Sequence, residues 1–169
     1  MTAPQNPRVL IDKQHQHIHR AQVEVAKAVR TAAREAGLNR AVMELVNIRI
    51  SQINTCAYCL HTHIRDALEA GETPQRIAVL PAWRDTGLFT DQERALLTLA
   101  ESLTKLPDSR QQDLDYAEAA RFLTPEQLSV VSWASIVMNA FNRVSIVSRH
   151  HVPQQQKPAS SRRDGDSSQ

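Results

Sequence analysis

Apolar residues recur every three or four positions along most of the chain, which is the spacing of amphipathic helices. Capping and turn residues divide this pattern into seven predicted helices. The predicted helices are Val9 to Ala36, a segment capped by Asn39 and ending near Ile53, a cysteine-containing segment capped by Asn54-Thr55 and ending at Ala70, Ile77 to Leu80, Thr90 to Leu103, Asp115 to Phe122, and Thr124 to Ser148. The last helix is apolar on nearly every side, which predicts a place in the core or in a subunit interface.

The composition agrees with a single all-α domain. The chain has 169 residues, only four glycines and many good helix formers. We therefore predict a single-domain helical bundle of about six to seven helices over residues 9–151. Residues 1–8 are predicted to be a flexible N-terminus. Residues 152–169 are predicted to be a disordered tail, because polar and charged residues replace the apolar periodicity there.

Charge and hydropathy exclude several classes of partner. The net charge is +2 with both signs interspersed, so we expect no nucleic-acid partner. No apolar run approaches the roughly 20 residues of a membrane span, and the N-terminus lacks the charged and apolar regions of a signal peptide. The expected location is the cytoplasm, without a membrane partner.

The chain has two cysteines, Cys56 and Cys59, separated by two residues. A disulfide between them closes too small a loop to stabilise a domain of this size, whereas the spacing suits redox exchange or a metal. The first turn of a helix also favours a thiolate. On that helix His63 shares a stripe with both cysteines, while Tyr58 and His61 project elsewhere. His63 is therefore the imidazole expected to reach a thiol.

Glu44 lies among apolar neighbours on the preceding predicted helix. Two interpretations stay open: Glu44 is a proton carrier, or it forms an ion pair with Arg40 one turn earlier. A zinc site made of Cys56, Cys59, His63 and Glu44 is a further alternative. Three ligands crowded on one helix face make a tetrahedral cage hard to build. We expect neither a metal nor a cofactor.

Two other groups of residues invite a functional interpretation. Within the run His15, His17 and His19, the first and last lie on one helix face and could bind a metal. A solvated surface is the interpretation that we favour. We assign Trp83 and Trp133 to packing.

The cysteine pair is accompanied by further segments in a fixed order. These are Glu44, separated by eleven residues from Cys56-Ala57-Tyr58-Cys59, then His63, Ala70-Gly71-Glu72-Thr73, Ala82-Trp83-Arg84, residues 89–96, and Asn139-Ala140-Phe141-Asn142-Arg143. Together they resemble the alkylhydroperoxidase D (AhpD) group of the carboxymuconolactone decarboxylase superfamily. The resemblance covers residues 40–147, and the combination is specific, whereas two cysteines at this spacing alone are not.

The resemblance implies an AhpD-like antioxidant enzyme that reduces hydroperoxides. Cys59 would attack the peroxide, Cys56 would be the resolving thiol, and His63 and Glu44 would belong to the proton relay. The oxidised pair would be reduced by an external dithiol, which in the best-known systems is a lipoyl group on a protein partner. Members of this group also form trimers or hexamers, so we expect a homo-oligomer.

Tyr58 departs from the family pattern, because the best-characterised members carry a second histidine at this position. A phenol is a poor base at neutral pH, so the relay would be altered, slower or routed through water. The alternative functions are a thiol–disulfide oxidoreductase and a redox-responsive assembly module, both with little peroxidase activity.

Overall fold

The computed structural model describes residues 8–154, and within that range every element is helical. Residues 1–7 of the predicted flexible N-terminus and residues 155–169 of the predicted disordered tail lie outside the described residues. The helices are α1 (Ile11–Gln14), α2 (Gln16–Glu35), α3 (Arg40–Ile53), α4 (Ala57–Glu69), α5 (Pro74–Val79), a 3₁₀ segment (Leu80–Asp85), α6 (Asp91–Lys105), α7 (Ser109–Ala119) and α8 (Pro125–Ser148). The predicted all-α helical bundle is confirmed, with eight α-helices in residues 8–154 where about six to seven were predicted.

Most of the predicted helix ends are correct because they rest on local chemistry. The Asn39 side chain accepts a hydrogen bond from the Val42 amide and caps α3, and Thr90 and Glu93 form a complete capping box on α6. Gly37 follows α2 with φ of +76°, a left-handed conformation that glycine adopts without strain. Short-range patterns of this kind can be read directly from a sequence.

Three predictions about the helices are wrong, and one helical segment was missed. The first helix is not continuous, because His15 has non-helical backbone angles and separates α1 from α2. The cap of α4 is the Cys56 side chain and not Asn54-Thr55. Helix α7 starts at Ser109 under an Asp108 cap, well before the predicted start at residue 115. The 3₁₀ segment Leu80–Asp85 was not predicted.

Helix α3 lies between two hydrophobic clusters, and this fixes its position. It packs against α4, α6 and α8. One face contributes Val46 to a cluster shared with α2, α6 and α8, and another face contributes Ile48 to a cluster shared with α4, α6 and the 3₁₀ segment. Both side chains are almost completely buried. Removing either would leave a cavity, which typically costs about 2–5 kcal/mol when a large aliphatic side chain becomes alanine.

Helix α8 has a buried face and an exposed face. It packs against α2, α3 and α6, and 44% of its most apolar 18-residue segment is buried. This segment has a mean hydropathy of 1.3, so α8 is long and apolar enough to cross a membrane. A helix in the core of a folded domain has the same properties. Trp133 is 54% exposed, so its assignment to packing is wrong, whereas Trp83 is buried as predicted. Composition alone does not show which side of an apolar helix the fold covers.

A buried carboxylate joins three elements behind the site. Glu101 on α6 binds Arg49 of α3 at 2.6 Å and the Trp83 indole N–H at 2.9 Å, and it also binds Arg84 and Lys105, each at 2.9 Å. Burial alone would raise the pKa of Glu101. Hydrogen bonds from Trp83, Lys105 and Arg49 outweigh burial and lower the pKa to about 2. The ionised form of Glu101 therefore stabilises the fold.

We expect Glu101 to control the acid stability of the fold. Its pKa in the folded state is depressed, so its contribution is complete above the unfolded value near 4.5 and is lost as pH falls toward about 2. The full contribution is about 3 kcal/mol. Glu101→Gln should lower the free energy of unfolding at pH 7 by about that amount and flatten its pH dependence between pH 5 and 2, as measured by urea titration.

Glu118 offers a matched control for this measurement, because it pairs with Arg121 at an exposed position. Glu118→Gln should change the free energy of unfolding by less than about 1 kcal/mol. A Glu101→Gln protein with the acid sensitivity of the wild type would show that the Glu101 network does not stabilise the folded state.

Candidate active site

A polar network positions the turn that precedes the cysteines. The Asn54 amide donates to Asn139 Oδ1 at 2.8 Å and to Asn142 Oδ1 at 2.9 Å, both on α8. Asn142 is fully buried, and its own amide donates to Ser51 Oγ at 3.2 Å. Thr55 then adopts φ of +54°, which reverses the chain direction before α4. The network therefore ties the end of α3, the turn and α8 together.

The two cysteines form a disulfide at the start of α4. Their Cα atoms are 5.4 Å apart, and both residues are buried. Cys56 is the N-cap, and its Sγ accepts a hydrogen bond from the Cys59 amide at 3.4 Å. Free amides at a helix start favour a negative charge, so this position stabilises a Cys56 thiolate once the disulfide is reduced.

Glu44 and His63 form a hydrogen-bonded pair between α3 and α4. Glu44 Oε2 lies 2.7 Å from His63 Nδ1 and also accepts a hydrogen bond from Asn47 Nδ2 at 3.1 Å. The alternative pairing of Glu44 with Arg40 is wrong, because Arg40 lies on the exposed side of α3 and approaches Glu69 at 3.9 Å. The sequence interval between Glu44 and His63 is 19 residues, so only the folded hairpin brings them together.

Cys59 faces a cavity that Cys56 does not reach. The cavity has a volume of about 560 Å³ and lies among α2, α3, α4 and α8. Glu44, His63 and Tyr58 line it together with Cys59, whereas His61 does not. A small molecule entering the cavity therefore meets one sulfur of the pair and the Glu44–His63 pair on the same wall.

Tyr58 contacts a hydrogen-bonded pair, His150 and Asp12, that the sequence does not reveal. Its ring lies edge-to-face against His150, with ring centroids 5.1 Å apart, and His150 Nε2 lies 3.1 Å from Asp12 Oδ1. Burial would raise the pKa of Asp12, but hydrogen bonds from His150 and Lys13 outweigh it and hold the pKa below its ordinary value. The residues lie 138 positions apart, and no local pattern links them.

The possible metal ligands differ from those considered above. Glu44, His63 and Asp66 place their ligating atoms within 4.8 Å of one another, whereas the cysteine sulfurs are bonded to each other. Among residues 8–154 this is the one such cluster, so the histidine run does not assemble a site there. His19 instead packs edge-to-face on Phe141.

Comparisons with known proteins identify the family of this chain. The model of the Carboxymuconolactone decarboxylase family matches residues 18–102, a segment that contains Glu44, both cysteines and His63. The chain belongs to this family. It is 36% identical over 113 residues to the uncharacterized protein YdfG of Bacillus subtilis, covering 67% of this chain and 77% of YdfG. It is 34% identical over 86 residues to the uncharacterized protein YnjA of Escherichia coli, covering 50% of this chain and 47% of YnjA.

A solved structure places this family member in the AhpD-like group. It is a crystal structure of an Agrobacterium tumefaciens protein of unknown function, described as a candidate AhpD antioxidant defence protein. The two structures agree with a TM-score of 0.80 at 25% identity, over 89% of this chain and 100% of the other. The resemblance to the AhpD group is confirmed, and with it the all-helical fold.

Proposed function

We propose that this protein is a hydroperoxide reductase that uses Cys59 as the attacking thiol and Cys56 as the resolving thiol. The observation that carries the proposal is the position of Cys59 in the cavity beside the Glu44–His63 pair. Membership of the carboxymuconolactone decarboxylase family and the AhpD-like structure support an antioxidant role.

The chemistry balances without a bound cofactor. The Cys59 thiolate attacks one peroxide oxygen, the O–O bond breaks, and the leaving alkoxide takes a proton to become an alcohol. Cys59 is then a sulfenic acid, and attack by the Cys56 thiolate forms the disulfide and releases hydroxide, which becomes water on protonation. The peroxide is reduced by two electrons, and the thiol pair is oxidised by two.

An external dithiol restores the pair by thiol–disulfide exchange. We expect the dithiol to attack Cys59, because this sulfur faces the cavity. Cys56 then departs as a thiolate, and the N-cap position stabilises that leaving group. A buried disulfide in a cavity suits a small or extended dithiol, such as a lipoyl group, better than a thiol on a folded protein surface.

The Glu44–His63 pair supplies the proton transfers. His63 shares the cavity wall with Cys59, and Glu44 is 8% exposed with its carboxylate held by Asn47 and His63. A carboxylate hydrogen-bonded to an imidazole fixes the orientation of the ring and presents its other nitrogen for proton transfer. The pair can therefore take the proton of the Cys59 thiol and return it to the leaving oxygen.

A second function is favoured by Tyr58. The best-characterised relatives carry a histidine at this position between the cysteines, which would be a second base. Here the position holds a phenol, and its ring contacts His150. If peroxide protonation requires that base, the protein is a thiol–disulfide oxidoreductase with little peroxidase activity. Dithiol exchange without peroxide turnover would identify this function.

The exposed side of α8 supports a homo-oligomer. Trp133 and Ile136 are 54% and 53% exposed, and Ala140, Arg143 and Val147 continue the same stripe at spacings of four and three residues. This spacing places them along one seam, the arrangement by which helices of neighbouring subunits pack. We infer a trimer or hexamer, and we place it in the cytoplasm, where a dithiol pool keeps such a pair cycling.

Replacing each cysteine should separate the two roles. In Cys56→Ser, peroxide should convert Cys59 to a sulfenic acid that persists, because the resolving thiol is gone. In Cys59→Ser, Cys56 should react more slowly, since it does not face the cavity. Mass spectrometry with a sulfenic-acid trap measures both, and preferential oxidation of Cys56 would reverse the assignment.

Substitutions in the relay should act on rate. Glu44→Gln and His63→Gln should each lower turnover of an organic hydroperoxide with dihydrolipoamide by about 10²–10⁴-fold, the usual contribution of general acid–base catalysis. Tyr58→Phe keeps the ring and should retain most activity, and Tyr58→His should raise it. His61→Gln is the matched control, because His61 does not line the cavity. Equal rates in all of these variants would eliminate the relay.

Light scattering should find a trimer or hexamer at micromolar concentration. Trp133→Glu, which places a charge in the exposed stripe of α8, should shift the mass toward the monomer without changing helicity. Leu114→Glu is the control, because Leu114 is exposed on α7 away from this stripe. A wild-type monomer would disprove the proposed assembly.

A further inference from the structure

Two arginines on α2 line the cavity without a partner. Arg30 and Arg34 are one helical turn apart and both border the cavity. Lys27, the neighbouring cation, pairs with Glu24 at 2.8 Å, whereas Arg30 and Arg34 form no ion pair or side-chain hydrogen bond with any residue between 8 and 154. Two guanidinium groups in this position present donors for an anion.

The cavity below the arginines is mainly apolar. Its apolar walls come from α2, α3, α8 and the turn between α2 and α3, and include Val29, Leu38, Met43, Val137, Met138 and Phe141. A volume of about 560 Å³ lies in the range of pockets that bury most of a drug-sized ligand. Hydrogen peroxide or a short alkyl hydroperoxide would leave most of this apolar surface in contact with water.

The arginines and the reactive sulfur belong to different walls. Helix α2 packs on α8, and α4 packs mainly on α3, so the cavity separates α2 from α4. Cys59 and His63 are on the α4 wall, and Arg30 and Arg34 are on the α2 wall. The two acidic side chains that line the cavity, Glu44 and Asp66, already pair with His63 and Arg65. The α2 wall thus offers free positive charge, and the α4 wall offers the redox pair.

We propose that this cavity binds amphipathic hydroperoxides that have an anionic head group, with Arg30 and Arg34 holding the head group and the apolar walls holding the chain. The proposal names the substrate class of the function proposed above and rests on that function. Fatty-acid hydroperoxides have this chemistry: a carboxylate at one end, an apolar chain, and a peroxide that can reach Cys59. The arginines are positioning residues, because they contact the head group and not the reacting oxygens.

Binding can be measured without turnover on the oxidised protein, in which the disulfide makes Cys59 unreactive toward peroxide. We expect dodecanoate to bind the wild type in isothermal titration calorimetry. Arg30→Gln combined with Arg34→Gln should weaken this binding about tenfold, the size of one or two exposed ion pairs. Dodecanol, which has the chain without the charge, should bind the wild type and this variant equally.

The same helix provides a control of equal charge. Arg20→Gln combined with Lys27→Gln removes two positive charges from α2 at residues that do not line the cavity. This variant should bind dodecanoate like the wild type. If it loses as much affinity as the Arg30 and Arg34 variant, the effect is a general attraction of α2 for anions, and the proposal is wrong.

A second measurement reports on where the chain lies. In the reduced Cys56→Ser protein, saturating dodecanoate should slow alkylation of Cys59 by iodoacetamide severalfold, because the chain occupies the cavity. Unchanged alkylation, or a dodecanoate affinity that does not respond to the arginine substitutions, would overturn the proposal.

The outcomes separate this inference from the proposed function. Arginine-dependent binding of dodecanoate without any peroxide turnover would keep the binding site and reject the reductase. Turnover of tert-butyl hydroperoxide with no arginine-dependent binding would keep the reductase and reject the anionic substrate. If the arginine substitutions instead impair reduction by a lipoyl protein but not by free dihydrolipoamide, the arginines bind an acidic protein partner, and the substrate proposal is overturned.

Discussion

The position of the redox pair depends on the buried hydrogen bonds of Asn142. This amide, fully buried on α8, accepts from Asn54 and donates to Ser51, so it joins the end of α3 to the core of the bundle. A buried polar group without a hydrogen-bond partner costs about 1–3 kcal/mol. The partners of Asn142 are Asn54 and Ser51, both at the end of α3, so moving the turn away from α8 would incur this cost. The α3–α4 turn therefore has one favoured arrangement against α8. That arrangement sets where Cys56 begins α4.

The same hairpin explains how a carboxylate can be used inside an apolar region. Glu44 lies between two hydrophobic clusters on a helix held by α4, α6 and α8, and His63 from the adjacent helix meets it at 2.7 Å. An unpaired buried charge would be too costly, so each group makes the burial of the other possible. The pair is thus a structural contact between α3 and α4 that lines the same cavity as Cys59.

The surroundings of the disulfide and of the Glu44–His63 pair divide into two regions with different chemistry. On one side, the Tyr58 ring packs edge-to-face against His150, whose imidazole is hydrogen-bonded to Asp12 of α1. On the other side lies the cavity with its apolar walls and the free arginines of α2. The family match covers both cysteines, Glu44 and His63, and the AhpD-like fold is shared with the Agrobacterium tumefaciens protein. The site therefore has an aromatic and acidic side at Tyr58 and a basic side at the arginine pair.

By itself the sequence determined the all-helical class, most helix ends, the cysteine motif and the resemblance that connects Glu44 with His63. These rest on interactions between residues a few positions apart, such as the capping box of Thr90 and Glu93, or on a motif of fixed spacing. Only the tertiary structure decided the pairing of Glu44 with His63 instead of Arg40, the exposure of Trp133, the role of Asp12 beside His150, and the sulfur that faces the cavity. These depend on how helices distant in the sequence pack, because the periodicity of a helix shows that a face is apolar without showing what covers it.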